Sequence, residues 1–505
     1  MQVQIETTPI DKLDVDAAAV ICFEEEKASV GTAVAPPQHV DPEIANQSGW
    51  MAELRASGEF TGKLYETSIL HRPQGVAAKR VVVIGGGKRG KFSAVEARRV
   101  GGSLVRALKS KGVKSIALLL EASESEHAGA VIEGALLGGW EPDALKTDAK
   151  KNENQIQQFT AVLSEAAAYP IEKTAQRAEI VAEAQNLARN LINQPANLLN
   201  PAALAAAAES VAHEANLQYE LLDREAMKQL GMGALLGVAQ GSANEPFLIV
   251  MKYRPGREEG GNHLALVGKG VTFDTGGISI KPADGMEKMR YDMAGAAAVI
   301  GAMRAIGQLK PAIPITAYVP SVENMVSGNA QRPGDIVTSL SGKTIEILNT
   351  DAEGRLILAD AITYAIRNGA THIVDAATLT GAIGIALGHH NAGAFTNNQD
   401  LLDRVMKAAK EAGEKVWQLP MDDEYKDYLK SAFADLPNVG GRPAGSITAA
   451  WFLREFAEPA PWVHLDIAST AWLDDAKPWM SKGPTGVGLR TFVQLAQDWV
   501  PTIVQ

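Results

Sequence analysis

The chain is almost without cysteine: Cys22 is the only one in 505 residues. A lone cysteine excludes an internal disulfide framework and fits a reducing compartment, where it packs as a small buried apolar residue. The opening stretch MQVQIETTPIDKLDVDAAAV has neither a basic leader nor a long apolar core, so it does not read as a secretory signal. No apolar run reaches the ~20 residues needed to span a bilayer. Together these absences predict a cytoplasmic protein with no membrane attachment. Two catalytic signatures are missing too. There is no His-Glu-x-x-His pair and no Gly-x-Ser-x-Gly elbow, which excludes the common zinc-protease helix and the serine-hydrolase elbow. A formal net charge of −11 runs against general binding of polyanions, so nucleic acid would need a local basic patch.

What is present suits a large folded protein. Hydrophobic residues make up 46% and charged residues 21%, enough apolar surface for a sizeable core. The length exceeds what one hydrophobic core usually supports, so two domains are expected. Over the first ~170 residues, apolar runs at 81–84 and 116–120 read as buried strands around a helical stretch at 94–108, an α/β rhythm with parallel pairing. A helical region at 172–192 ends at Asn193-Gln194-Pro195, where proline stops it, and reads as a connector. Beyond it the rhythm resumes, with strands at 264–267 and 373–374 and helices at 294–309 and 356–367. The expected division is 1–171, an amino-terminal α/β domain; 172–192, a linker helix; and 193–505, a larger α/β domain that holds every strong motif.

Several patterns imitate functional sites. Gly85-x-Gly87-x-x-Gly90 follows a strand and precedes a helix, like a dinucleotide fingerprint, yet Lys88, Arg89 and Lys91 crowd it and no acid ends a second strand at the required spacing. It reads as a tight turn. Ser341-Gly342-Lys343-Thr344 resembles the end of a phosphate loop, but Val337 stands where the first glycine belongs and a strand follows. His389-His390, flanked by glycine, reads as a surface pair. Lys88, Arg89, Lys91, Arg98 and Arg99 form a basic run that would serve either a solvated face or a secondary DNA-binding role.

Two segments carry the chemistry. One runs from Val267 through Lys269 and Asp274 to Lys281 and Asp292; the other is Asn349-Thr350-Asp351-Ala352-Glu353-Gly354-Arg355-Leu356. Helix capping would account for Asp292 alone, or for Asp351 with Glu353 alone. It does not account for Asp274 in a glycine-rich loop, nor for two lysines and an arginine among four acids. Four converging carboxylates repel and raise one another's pKa values, and two divalent cations would balance them. Carboxylate oxygens suit Mg²⁺ and Mn²⁺ and can hold Zn²⁺, and paired cations of this kind perform hydrolysis.

These segments resemble the leucyl aminopeptidase family, the M17 cytosolic aminopeptidases, with support from Asn193-Gln194-Pro195-Ala196-Asn197, Asp375-Ala376-Ala377-Thr378-Leu379-Thr380-Gly381 and Gly483-Pro484-Thr485-Gly486. The resemblance covers residue 185 to the end. It implies a smaller α/β domain joined by a helix to a catalytic α/β domain with a central mixed sheet. Asp274 and Glu353 would bridge two divalent metals, Lys269 and Asp292 would complete one site, and Asp351 the other. Lys281 would stabilise the oxyanion, and Arg355 would hold a bicarbonate acting as general base toward a metal-bridging water. Asn349, Met289, Thr378, Leu379, Gly381 and Ala468 would contact the substrate, with leucine or methionine preferred at the first position. The family also implies peptide substrates and a homohexamer.

Overall fold

The computed structural model describes residues 1–25, 43–121, 124–148, 155–163, 171–256 and 261–499. The chain divides into two compact units, Met1–Glu183 with Asp474–Lys482, and Ala184–Leu473 with Gly483–Gln505. The boundary at residues 183 and 184 falls inside the helix Ile171–Asn193.

In the first unit, uninterrupted Val, Ile and Ala runs form strands buried on both faces, as parallel sheets require. The six strands lie in the order Gln2–Glu6, Gln158–Val162, Ser115–Leu119, Ala17–Cys22, Arg80–Gly85 and Thr67–His71. All neighbours are parallel except the last pair. Helix Ala94–Lys109 begins with a capping box between Ser93 and Glu96. The glycine turn after Arg80–Gly85 is filled from within: Gly87 N–H donates to the Gly62 carbonyl and Gly86 N–H to that of Cys22. Those amides are spent, so the turn is not a phosphate cradle. The basic run is largely internal as well. Arg89 pairs with Glu124 at 2.9 Å and stacks on Phe23, Arg98 pairs with Glu133 at 2.6 Å, and Arg99 lies 4.6 Å over the Trp479 ring. Only Lys88 and Lys91 of that run are exposed.

The second unit is built on a nine-stranded mixed sheet. Its buried centre places Trp462–Asp466, His372–Ala377, Leu264–Gly268 and Ile315–Asn324 side by side and parallel. The apolar run leading to Asp274 is two strands rather than one. Leu264–Gly268 and Gly270–Asp274 both follow Ile315–Asn324 in parallel, interrupted at Lys269. Pro320, which has no N–H to give, falls between the two registers. Helix Ala294–Leu309 lies against the sheet so closely that a Cβ on Gly295 would sit 2.0 Å from the Ala376 carbonyl oxygen. That approach fixes the distance between the segment carrying Asp292 and the turn that follows His372–Ala377. The carboxyl ends of parallel strands are thereby gathered at one edge, where α/β sheets build their sites.

Candidate metal centre

Lys269 follows Leu264–Gly268, Asp274 ends its strand, Asp292 lies in the 3-10 helix Met286–Met293, and Glu353 directly precedes helix Gly354–Arg367. None of the acids is spent on a cap. Met293 and Glu353 occupy the two N-cap positions, and neither makes a side-chain capping bond. The capping alternative therefore fails, and the acids converge instead. Asp274, Asp351 and Glu353 each offer a carboxylate oxygen within 4.8 Å of the others.

Two lysines thread this cluster. Lys269 Nζ lies 2.9 Å from Asp292 Oδ1 and 2.8 Å from Glu353 Oε1, and donates to the Thr378 carbonyl at 2.9 Å. Lys281 Nζ lies 2.7 Å from Asp274 Oδ2 and 2.5 Å from Asp351 Oδ1. A Cβ on Gly354 would sit 2.8 Å from Lys269 Nζ, so glycine is required for the lysine to lie where it does. Asp274 is further held by its neighbours: Asn324 Nδ2 and Gly276 N–H each donate to Oδ1 at 2.8 Å. Thr378 Oγ1 donates to Asp292 Oδ1 at 2.7 Å, while Asp292 Oδ2 is buried with no hydrogen-bond partner.

Charge is the dominant fact here. Four carboxylates face two ammonium groups in a largely buried site, which leaves an excess of two negative charges. Burial pushes Asp292 up to about 8, with Glu353 and Asp274 adding to the shift against Lys269. Burial and Glu353 push Asp274 up to about 6. Burial also raises Asp351, whereas Lys269 and Lys281 hold Glu353 below its ordinary range against its own burial. Burial opposes the charge on Lys269, but Asp292, Glu353 and Asp274 outweigh it and keep the ammonium well above its usual range. The acids either take up protons or gain cations. Hard oxygen donors, an orphaned carboxylate oxygen and unmet negative charge all fit divalent metal.

The cluster lines a cavity of about 480 Å³. Of the residues singled out in the sequence, Lys269, Asp274, Lys281, Met289, Asp292, Asp351, Glu353, Thr378, Leu379, Gly381 and Ala468 line it together. Asn349 and Arg355 do not. Asn349 Oδ1 accepts from Asp351 N–H at 2.9 Å and so shapes the turn. Arg355 is buried, donates from Nη1 to the Asn438 carbonyl at 2.7 Å, and leaves Nε unpartnered. His389 is exposed, as expected, yet it also lies on the cavity rim, with Nδ1 3.1 Å from the Ser469 carbonyl. Sequence reading misses Asn324, Asn438 and Asp466. Each meets the site from a distant strand or loop, and no local pattern marks any of them.

Comparison with known proteins agrees with this geometry. Residues 186–493 match the model of the cytosol aminopeptidase family catalytic domain, and residues 19–149 that of the same family's N-terminal domain. A probable cytosol aminopeptidase of Solibacter usitatus is 56% identical over 501 residues, covering 99% of this chain and all of that one. One from Acidobacterium capsulatum is 44% identical, with 99% of each chain covered. Among solved structures, a tomato leucine aminopeptidase mutant matches with a TM-score of 0.87 and 34% identity, over 98% of this chain and 96% of that one. The bottromycin maturation enzyme BotP in complex with Mn matches with a TM-score of 0.83 and 32% identity, over 96% and 99%. The chain belongs to the M17 cytosol aminopeptidase family, and is therefore a metal-dependent hydrolase of the amino-terminal peptide bond.

Proposed function

We propose that this enzyme removes leucine, methionine and other apolar residues from the free amino end of peptides. It would use two divalent cations (Mn²⁺ or Zn²⁺, with Mg²⁺ as the alternative) held by Lys269, Asp274, Asp292, Asp351 and Glu353. The observation that carries this reading is the buried excess of carboxylate charge in a cavity that Met286, Met289, Leu379 and Ala468 also line. Bound cations supply Lewis-acid polarisation of the scissile carbonyl and lower the pKa of water.

The side chains do the rest. Lys269 would hold a cation only as the neutral amine, with Nζ deprotonated. Lys281, held as a firm ammonium, is suited to donate to the carbonyl oxygen as that oxygen gains charge. Arg355 has a buried, unpartnered Nε, and a bicarbonate held by its guanidinium would supply a general base. Asn349 keeps Asp351 in place, its Oδ1 accepting from the Asp351 backbone N–H. Met289, Leu379, Gly381 and Ala468, with Thr378, form the pocket for the first side chain, and their mostly apolar character supports the preference. That preference is modest, because a methylene in an apolar pocket is worth roughly 1–3 kcal/mol.

Hydrolysis of a leucine chromogenic amide tests the reading. It should be lost on chelation, be restored by Mn²⁺ or Zn²⁺, and be absent for the N-acetylated amide. Cleavage of the blocked amide would overturn the requirement for a free amine.

We further propose a cytoplasmic homohexamer with no membrane partner. Among the described residues no helix is long and apolar enough to cross a membrane, and light scattering checks the assembly. A secondary DNA-binding role would rest on Lys88 and Lys91, since the neighbouring arginines are engaged. A gel shift at physiological salt with Lys88→Glu/Lys91→Glu decides it.

A further inference from the structure

Behind the cavity wall lies a set of charged groups that the hydrolysis does not use. Asp375, His464 and Asp466 are all fully buried, on neighbouring parallel strands that pair Asp375 with His464. His464 Nδ1 is 2.6 Å from Asp375 Oδ1, and Trp462 Nε1 donates to Asp375 Oδ2 at 2.7 Å. Both oxygens of Asp375 are thereby occupied and the imidazole is locked. His464 Nε2 is buried with no hydrogen-bond partner. Two residues along the same strand, and so on the same face, stands Asp466.

Asp466 makes its bonds entirely to the cavity wall. Its Oδ2 accepts from Thr380 Oγ1 at 2.6 Å, and its Oδ1 from Leu379 N–H at 3.3 Å and Ala468 N–H at 3.2 Å. All three partners line the cavity. One buried carboxylate thus ties together the turn after His372–Ala377 and the segment after Trp462–Asp466, the two stretches between which the first side chain of the substrate would lie. Burial disfavours a charge on Asp466, and His464 opposes that penalty. Burial likewise disfavours a charge on His464, and Asp375 more than offsets it.

We propose that Asp466 is a positioning residue for substrate selectivity, pinning the Leu379–Thr380 turn to Ala468. This rests on the aminopeptidase reading, and the pocket it shapes is the one that receives the substrate's first side chain. Without the pins the turn relaxes away from the substrate, and contacts with a large side chain suffer more than contacts with a small one.

The test is the ratio of kcat/KM for leucine amide to that for alanine amide, measured on metal-loaded protein. A ratio is blind to the fraction folded or loaded, so a variant that only lowers the amount of active enzyme leaves it unchanged. Asp466→Ala should lower it about fivefold or more, a fraction of what apolar pockets can discriminate. Asp466→Asn retains an acceptor toward both backbone amides and should keep the ratio within about twofold. If Asp466→Ala is not recovered folded, Thr380→Val removes the 2.6 Å bond, together with the 3.2 Å capping bond that Thr380 Oγ1 accepts from Ile383 N–H, and should lower the ratio in the same direction. An unchanged ratio in the alanine or valine variant overturns the inference alone, as does an Asp466→Asn ratio as low as that of alanine. Wild-type protein that cleaves neither amide overturns the aminopeptidase reading and this inference with it.

Discussion

Stripping the divalent cations at controlled pH exposes the electrostatics of the cluster. Burial is the first cause that pushes Asp292 up to about 8 and Asp274 up to about 6, from the ordinary 3.8. A carboxyl raised in the folded state binds its proton more tightly there than in the unfolded chain. Its stabilising contribution is complete below about pH 3.8 and is lost as pH rises through 6 and then 8. Chelated protein should therefore weaken steadily from pH 5 to pH 9. Cations remove that dependence, because they balance the ionised acids that protons otherwise neutralise. Filling a site at about a thousand times its Kd adds about 4 kcal/mol, so two sites add roughly 8 kcal/mol. At roughly 1 °C per kcal/mol for a chain of 505 residues, the melting shift is on the order of 8 °C at pH 8. At pH 5 protons compete for the same oxygens and the shift should fall by half or more. Thermal melts followed by circular dichroism, with EDTA or with Mn²⁺ at pH 5, 6.5 and 8, read this directly. A shift of equal size at every pH, or none at pH 8, would refute the reasoning.

Three substitutions extend the test. Asp292→Asn keeps the bond from Thr378 but removes a charge and a ligand oxygen; kcat/KM should fall about a thousandfold, about 4 kcal/mol in the barrier, with metal lost on dialysis. Gly354→Ala drives a methyl to 2.8 Å from Lys269 Nζ, and urea melts of the variant should show a loss of roughly 1–3 kcal/mol along with weaker metal retention. Lys281→Met should lower kcat about a hundred- to a thousandfold while KM moves far less, since the lost donor acts on charge that develops during reaction. Steady-state kinetics with a leucine amide distinguish the two parameters.

Much of this architecture is legible in the sequence because its signals are local. Alternating apolar runs and helical stretches give the α/β class, and the helices at 94–108, 294–309 and 356–367 lie within two residues of those observed. The site residues are legible for a related reason: Lys269 to Asp292, and Asp351 to Arg355, each fall in one short segment. What stays hidden is made by long-range pairing. Nothing near Asn324 marks it as the donor that orients Asp274, fifty residues away. Asp466 reads as an ordinary acid ending a strand until the sheet brings it under Thr380. The break at Lys269 falls opposite Pro320 across the sheet and is invisible in the run itself. His389 misleads in the opposite sense, because exposure and a place on the cavity rim look alike in a glycine-flanked turn. The excursion Asp474–Lys482 into the first unit has no sequence signal that we can identify.

The central claim is that the acid cluster exists to hold a pair of dications. Elemental analysis of the very fractions that hydrolyse leucine amide measures this without intermediaries. Two divalent ions per chain are expected in the wild type, with both metal content and turnover collapsing together in Glu353→Gln. Fully active protein carrying no divalent metal, or a Glu353→Gln variant retaining both ions and full turnover, would contradict it.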